Sequence, residues 1–149
     1  MTIGTICNRQ VACVNREVTV RAACKLMRNH HVGSLVVVDV DDGKRVPVGV
    51  VTDRDIVVEI DAMDLDAKVI TVGDIMSQEL VMVPESQDVL ETVKIMRAKG
   101  VRRLPVVDKE NLLVGIVTID DLLEVLAEAL TDIARTVSRE QSHERQVRK

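Results

Sequence analysis

The sequence contains no phenylalanine, tyrosine or tryptophan among its 149 residues. The core must therefore be built from Val, Leu, Ile, Met and Ala, which with Cys make up the hydrophobic fraction of 46%. Because no aromatic ring is available for stacking, any nucleobase that binds to this protein has to pack against aliphatic side chains.

The sequence also has few cysteines and no excess of positive charge. Cys7, Cys13 and Cys24 are odd in number and form no CxxC pair, so we expect no disulfide framework and a reducing compartment. The net charge of -4 argues against general nucleic-acid binding, which usually requires a basic surface. No signal-peptide pattern and no apolar run near the roughly 18 residues of a membrane span are visible. These absences favour a cytoplasmic protein with neither nucleic acid nor membrane as a partner.

Motifs for catalysis and metal binding are weak. His30 and His31 have no Cys or acidic residue at metal-ligand spacing, so we predict no metal site. The sequence has no glycine-rich phosphate loop and no nucleophile motif. We therefore expect a protein that is not an enzyme and has no obligatory cofactor.

The sequence does contain a long internal repeat. Residues 2–39 align without a gap on residues 71–108 at an offset of 69. The offset then falls to 66, because the first copy carries three extra residues in the turn-rich stretch 41–45. A unit of this length that occurs twice indicates two related domains, since a solenoid needs at least three shorter units. We place the domains at residues 2–61 and 71–130, with 62–70 as the connector.

Each copy predicts the element order β-α-β-β-α. In the first copy, a short apolar segment at 11–14 precedes helical spacing from Val20, and the continuous apolar runs at 35–38 and 48–51 are typical of buried strands. Thr19 occupies the N-cap position before the first predicted helix, and Asp88 does so in the second copy. The expected fold class is α/β (α+β).

The last helix is predicted to be longer than its counterpart in the first copy. Its apolar residues recur in steps of three and four and form a single stripe: Leu122, Leu126, Leu130, Ile133 and Val137. We predict a C-terminal helix extension over 131–149. From Ser138 the sequence is mixed in charge and poor in large apolar residues, so we expect this end to be frayed or disordered.

The ordered set of motifs resembles a tandem pair of CBS domains, also called a Bateman module. Its most specific parts are Gly-hydrophobic-hydrophobic-Thr-x-x-Asp-hydrophobic at 49–56 and 115–122, the lead-in at 72–76 and the strand signature at 100–108. The resemblance covers about residues 2–125. It implies two repeats packed as a pseudo-twofold pair, adenosine-containing ligands (AMP, ADP, ATP, S-adenosylmethionine or NAD) in clefts between them, and a homodimer.

The resemblance also implies which residues contact the sugar. Asp55 and Asp121 correspond to ribose ligands, and Thr52 and Thr118 correspond to residues that support the sugar or the phosphate. A carboxylate can accept two hydrogen bonds from a ribose diol. The alternative is that each Thr and Asp only caps the following helix.

Phosphate contacts are predicted at Arg102 and Arg103, because adjacent guanidinium groups at the mouth of a cleft suit phosphate oxygens. Arg54 is a further candidate. The alternative is a solvated position for these side chains. The first copy has Gly33-Ser34 at the positions of Arg102 and Arg103, so the two clefts should differ in phosphate affinity.

The adenine pocket is assigned by resemblance to Cys13 and Val14 in the first copy and to Met82 and Val83 in the second. Plain core packing is the alternative for these residues. The function that follows is a non-catalytic regulatory module that binds an adenosine-containing ligand and transmits its state to an unknown regulated protein. The alternative function is a constitutive interaction or dimerisation domain with vestigial clefts.

Overall fold

The repeat in the sequence becomes two three-stranded sheets in the computed structural model, which describes residues 1–148. The first half contains α1 Ile3–Ile6, β1 Cys13–Val14, α2 Val20–His30, β2 Ser34–Asp41, β3 Lys44–Thr52 and α3 Asp53–Ile56, which continues as a π-helical turn over Val57–Asp61. The second half contains α4 Val72–Ile75, β4 Val83–Pro84, α5 Val89–Lys99, β5 Arg103–Val107, β6 Leu113–Thr118 and α6 Ile119–Val147. The predicted mixed α/β (α+β) class is confirmed.

Both sheets have the same topology and register. The short β1 pairs in parallel with β2, which forms an antiparallel hairpin with β3, and β4, β5 and β6 repeat this arrangement. Each hairpin has one irregularity in its register, after Val37 in the first sheet and after Val106 in the second. These two positions are related by the offset of 69, so the repeat extends to the local twist of the strands.

The main helices begin and end at corresponding residues. The side chains of Thr19 and Asp88 cap α2 and α5, as their sequence positions predicted. Both helices end in a left-handed residue, His31 with φ 54° and Gly100 with φ 65°. The chain therefore leaves each helix in the direction that leads into the second strand of the sheet.

Each half lends its lead-in helix to the core of the other half. Ile3 of α1 is fully buried in the second core, and Val72 of α4 is fully buried in the first. The backbone N–H of Ile3 donates to Gln87 O and that of Val72 donates to Val18 O, both at 2.8 Å. Because Gln87 and Val18 also correspond at an offset of 69, the exchange is reciprocal and gives the pair its pseudo-twofold symmetry.

A third apolar cluster joins the halves. Val36 and Val38 of β2 pack with Leu113 of β6, and Cys13 and Ile116 lie at the edge of this cluster. The buried aliphatic side chains offset the entropy lost when the two sheets are fixed against each other. The strand ends that surround this cluster consequently have fixed positions.

The helix α6 is continuous from Ile119 to Val147, so the frayed or disordered segment expected from Ser138 does not occur up to Val147. The segment is rich in Arg, Glu and Gln, which are good helix formers, and the Ser138 and Ser142 hydroxyls donate to carbonyls one turn earlier. Lys149, the last residue of the expected extension, lies outside the described residues. Within 1–148, no helix combines the length and the apolar character needed to cross a bilayer.

Candidate functional site

Two cavities lie between the halves, and each takes its walls from both repeats. The larger has a volume of about 420 Å³ and includes Thr52 and Asp55 of the first half together with Arg102 of the second. The smaller, of about 230 Å³, includes Thr118 and Asp121 of the second half with residues of the first. The Thr–Asp pair of each repeat therefore faces segments of the other repeat.

Each Thr–Asp pair is a helix cap and a cavity wall at once. The backbone N–H of Thr52 donates to Asp55 Oδ2 at 2.9 Å, and the N–H of Asp55 donates to Thr52 Oγ1 at 3.1 Å. The corresponding distances at Thr118 and Asp121 are 2.8 and 3.3 Å. In both pairs Oδ1 of the aspartate has no hydrogen-bond partner within residues 1–148. One carboxylate oxygen thus holds the turn, and the other is available to a ligand.

A third Thr–Asp pair, Thr71 and Asp74, caps a helix without lining either cavity. The N–H of Thr71 donates to Asp74 Oδ2 at 3.0 Å at the start of α4. Asp74 lines neither cavity between the halves. The sequence offers Thr-x-x-Asp three times, but only the pairs that follow β3 and β6 are brought to a cavity.

The structure places the three predicted arginines at the larger cavity. Arg54 lies on α3 beside Asp55, while Arg102 and Arg103 come from the start of the second-half hairpin. Arg102 Nη2 is 3.9 Å from Asp120 Oδ1, a long contact between two exposed side chains that contributes little. Three guanidinium groups therefore border the larger cavity, and Gly33 and Ser34 border the smaller one at the positions that match Arg102 and Arg103.

The four residues predicted to form an adenine pocket, Cys13, Val14, Met82 and Val83, are not among the residues that line either cavity. Val14 and Val83 are 5% and 1% exposed and belong to the two cores, and Met82 is 37% exposed outside the cavities. Cys13 belongs to the cluster between the sheets. Burial raises the pKa of the Cys13 thiol, although Arg45 opposes this shift with a guanidinium nitrogen 3.5 Å from Sγ.

The apolar walls are instead formed by residues just before each first strand and by matched positions elsewhere. Every apolar residue of one cavity has an apolar counterpart in the other. The larger cavity has Leu80, Val81, Val101 and Val50, and the smaller has Val11, Ala12, Val32 and Ile116. Val11 and Ala12 directly precede β1, and Leu80 and Val81 are their counterparts at an offset of 69.

The two cavities also differ in how tightly their edges are joined. Asn8 and Ile116, at the smaller cavity, exchange two backbone hydrogen bonds of 2.9 Å. At the larger cavity, the matching pair Ser77 and Val50 forms one bond of 3.3 Å among the described residues. The looser edge accompanies the larger volume.

Potential metal ligands and cysteines are the other reactive groups of the chain. Residues 1–148 hold no group of three or more His, Cys, Asp or Glu side chains placed to bind a metal ion. Cys7, Cys13 and Cys24 are free thiols. The charged residues that line the two cavities between the halves are aspartates, a glutamate and arginines.

Comparisons with known proteins agree with this architecture. A family model described as CBS domain matches twice, at residues 3–62 and 72–128. An uncharacterized protein of Methanopyrus kandleri is 37% identical over 84% of this chain, which spans 62% of the length of that relative. The structure of a putative signal-transduction protein with CBS domains from Burkholderia ambifaria superposes with a TM-score of 0.76 at 30% identity, covering 85% of this chain and 93% of the other.

A further solved structure is a CBS domain pair in complex with 5'-methylthioadenosine and S-adenosyl-L-methionine. It has a TM-score of 0.73 and covers 85% of this chain and 99% of its own. At 23% identity, this similarity shows that the two chains share a fold.

Proposed function

The chain belongs to the CBS-domain family, and on this basis we propose that its two clefts bind adenosine-containing ligands. A CBS pair is a regulatory module, and its homologues are generally regulatory and not catalytic. The observation that carries the proposal is the crosswise placement of Thr52–Asp55 and Thr118–Asp121, each facing the opposite repeat across a cavity. AMP, ADP, ATP, NAD and S-adenosylmethionine are the candidate ligands.

The chemistry of the cavities suits an adenine nucleoside. The free Oδ1 of Asp55 or Asp121 can accept hydrogen bonds from a ribose diol, while Oδ2 keeps the helix cap. The matched aliphatic walls can enclose a purine from both faces without an aromatic residue. A volume of about 420 Å³ lies within the usual range for small-molecule sites, so the larger cavity should take the first ligand.

Phosphate groups are favoured at the larger cavity. Arg54, Arg102 and Arg103 border it and can engage phosphate oxygens through paired N–H donors. The smaller cavity has Gly33 and Ser34 at the matched positions, so it should favour ligands with fewer phosphates.

The ligand state can be transmitted to a partner because both repeats contribute to the walls of each cavity. A ligand that contacts both repeats stabilises the relative position of the halves that it fits best, and a regulated protein can respond to that position. We place this module in the cytoplasm, as a homodimer whose second copy covers exposed apolar side chains of α6.

A calorimetric screen tests the proposal. Wild-type protein is titrated with AMP, ADP, ATP, NAD and S-adenosylmethionine, and mass spectrometry identifies any small molecule released from the purified protein. We expect saturable binding of at least one adenosine-containing compound. The proposal fails if none of them binds at millimolar concentration.

A second candidate function is a constitutive interaction domain whose clefts are vestigial. The exposed apolar face of α6 favours it, with Leu130 68% and Ile133 63% exposed. Asp55→Asn combined with Asp121→Asn separates the two functions. Under the regulatory function these changes abolish the response of partner binding to ligand, and under the second function partner binding is the same with or without ligand.

A further inference from the structure

Arg103 borders both cavities. Arg103 is a lining residue of the larger cavity, with Arg54 and Arg102, and also of the smaller one, with Asp121. Its pseudo-twofold counterpart, Ser34, borders the smaller cavity alone. The repeat symmetry is therefore broken at the one position that lies between the two sites.

The position of Arg103 follows from the strand register. Arg103 is the first residue of β5 and pairs with Thr118, the last residue of β6, which also lines the smaller cavity. The neighbouring Arg102 belongs to the larger cavity. The Arg103 side chain thus starts at the wall that separates the cavities, and its long flexible stem lets the guanidinium turn to either side.

No residue within 1–148 forms a salt bridge or a side-chain hydrogen bond with Arg103. It is also the single cationic residue among the described walls of the smaller cavity, whereas the larger cavity has two further arginines. A phosphate in the smaller cavity consequently depends on Arg103, and a phosphate in the larger cavity competes for it.

We propose that Arg103 couples the two clefts negatively, because one guanidinium can neutralise a ligand phosphate in only one cleft at a time. This inference rests on the proposed function and adds the regulation of the same sites. Linkage makes the effect reciprocal: a phosphorylated ligand in either cleft lowers the affinity of the other cleft by the same factor. Adenosine, which has no phosphate, should show no such coupling.

The test measures each cleft alone and both together. Asp121→Asn leaves the larger cleft to be titrated alone, and Asp55→Asn leaves the smaller one. With AMP as the probe, we expect the second binding step of the wild type to be about tenfold weaker than the same cleft measured alone, within the usual range of coupling between sites. With adenosine, this ratio should be about one after the statistical correction for two sites.

Arg103→Met removes the guanidinium and keeps an unbranched side chain of similar reach. In this variant we expect AMP to bind in the second step about as tightly as it binds to the same cleft alone, so that the ratio of the two affinities is about one. The affinity of the smaller cleft for AMP should fall to its affinity for adenosine. Arg54→Met is the matched control, because Arg54 borders the larger cavity alone. It should weaken AMP binding in the larger cleft, while the coupling between the clefts persists. Arg103→Lys keeps a mobile positive charge and should retain part of the coupling.

The outcomes separate the two proposals. Independent binding of two AMP molecules by the wild type, or a ratio that survives Arg103→Met, would overturn the role of Arg103 and leave the nucleotide clefts in place. Failure of AMP, ADP, ATP, NAD and S-adenosylmethionine to bind would overturn both.

Discussion

Gly49 and Gly115 hold the same position in the two repeats, three residues before the threonine of each Thr–Asp pair. At both glycines the lead-in segment of the other half passes directly over the strand. A Cβ on Gly115 would lie 2.7 Å from Cys7 Sγ and 3.0 Å from the carbonyl oxygen of Asn8. A Cβ on Gly49 would meet the side chain of Met76, with Sδ at 2.8 Å. The glycines thus permit the close crossing that brings the two halves together.

Gly115→Ala should therefore destabilise the protein more than Gly49→Ala. The new methyl group at position 115 is blocked by a backbone carbonyl and a short side chain, and we expect a loss of about 1–3 kcal/mol in the free energy of unfolding. At position 49 the flexible Met76 side chain can move away, so the loss should stay below about 1 kcal/mol. Urea unfolding of the two variants measures the difference, and equal losses would contradict this account.

Individual residues differ in how far the sequence could predict them. The Thr–Asp pairs could be assigned because the same spacing recurs in both copies directly after a strand. The apolar residues that line the cavities could not, because a short apolar run does not show which of its residues face a cavity. In the structure Cys13 and Val14 pair with β2, whereas Val11 and Ala12 line the smaller cavity.

Among the elements, α6 departs most from the repeat. Its first-half counterpart is the single turn α3 with its π-helical continuation, whereas α6 has 29 residues. At about 1.5 Å per residue it extends roughly 43 Å. Leu122 is fully buried, but Leu123, Leu130, Ile133 and Val137 are more than half exposed. An apolar stripe of this kind is expected to pack against another chain, and the proposed homodimer would supply a second copy.

Replacing Leu130 or Ile133 by Glu should weaken self-association at least tenfold, because each change puts a charge into the apolar contact. Thr131→Glu is the matched control: it adds the same charge to a neighbouring exposed position off the stripe. Sedimentation equilibrium over a range of protein concentrations gives the dissociation constants. If Leu130→Glu associates as the wild type does, or if Thr131→Glu weakens association equally, α6 is not the dimer interface.

Some features of the helices and strands could be predicted from the sequence, and others could not. The spacing of apolar residues predicted the strands and the main helices, because a period of two or 3.6 residues determines which face is buried. It could not predict that α1 and α4 each pack into the opposite half. Ile3 and Val72 are ordinary apolar residues in short segments, and only the tertiary hydrogen bonds of Ile3 with Gln87 and of Val72 with Val18 reveal the exchange.

Taken as a whole, the molecule is a pair of halves whose cores and cavities are both completed across the pseudo-twofold axis. Neither half has a complete core without the lead-in helix of the other, and neither has a complete cavity. A ligand bound in either cavity would therefore contact the same surfaces that fix the arrangement of the two halves.

The most direct test compares three aspartates that perform the same capping role. Asp55→Asn, Asp121→Asn and Asp74→Asn each keep an acceptor oxygen for the cap, but only the first two change a cavity. Calorimetric stoichiometry with saturating AMP should give two molecules per chain for the wild type and for Asp74→Asn, one for each of the other single variants and none for their combination. Unchanged binding in Asp55→Asn and Asp121→Asn, or an equal loss in Asp74→Asn, would contradict the assignment of the clefts.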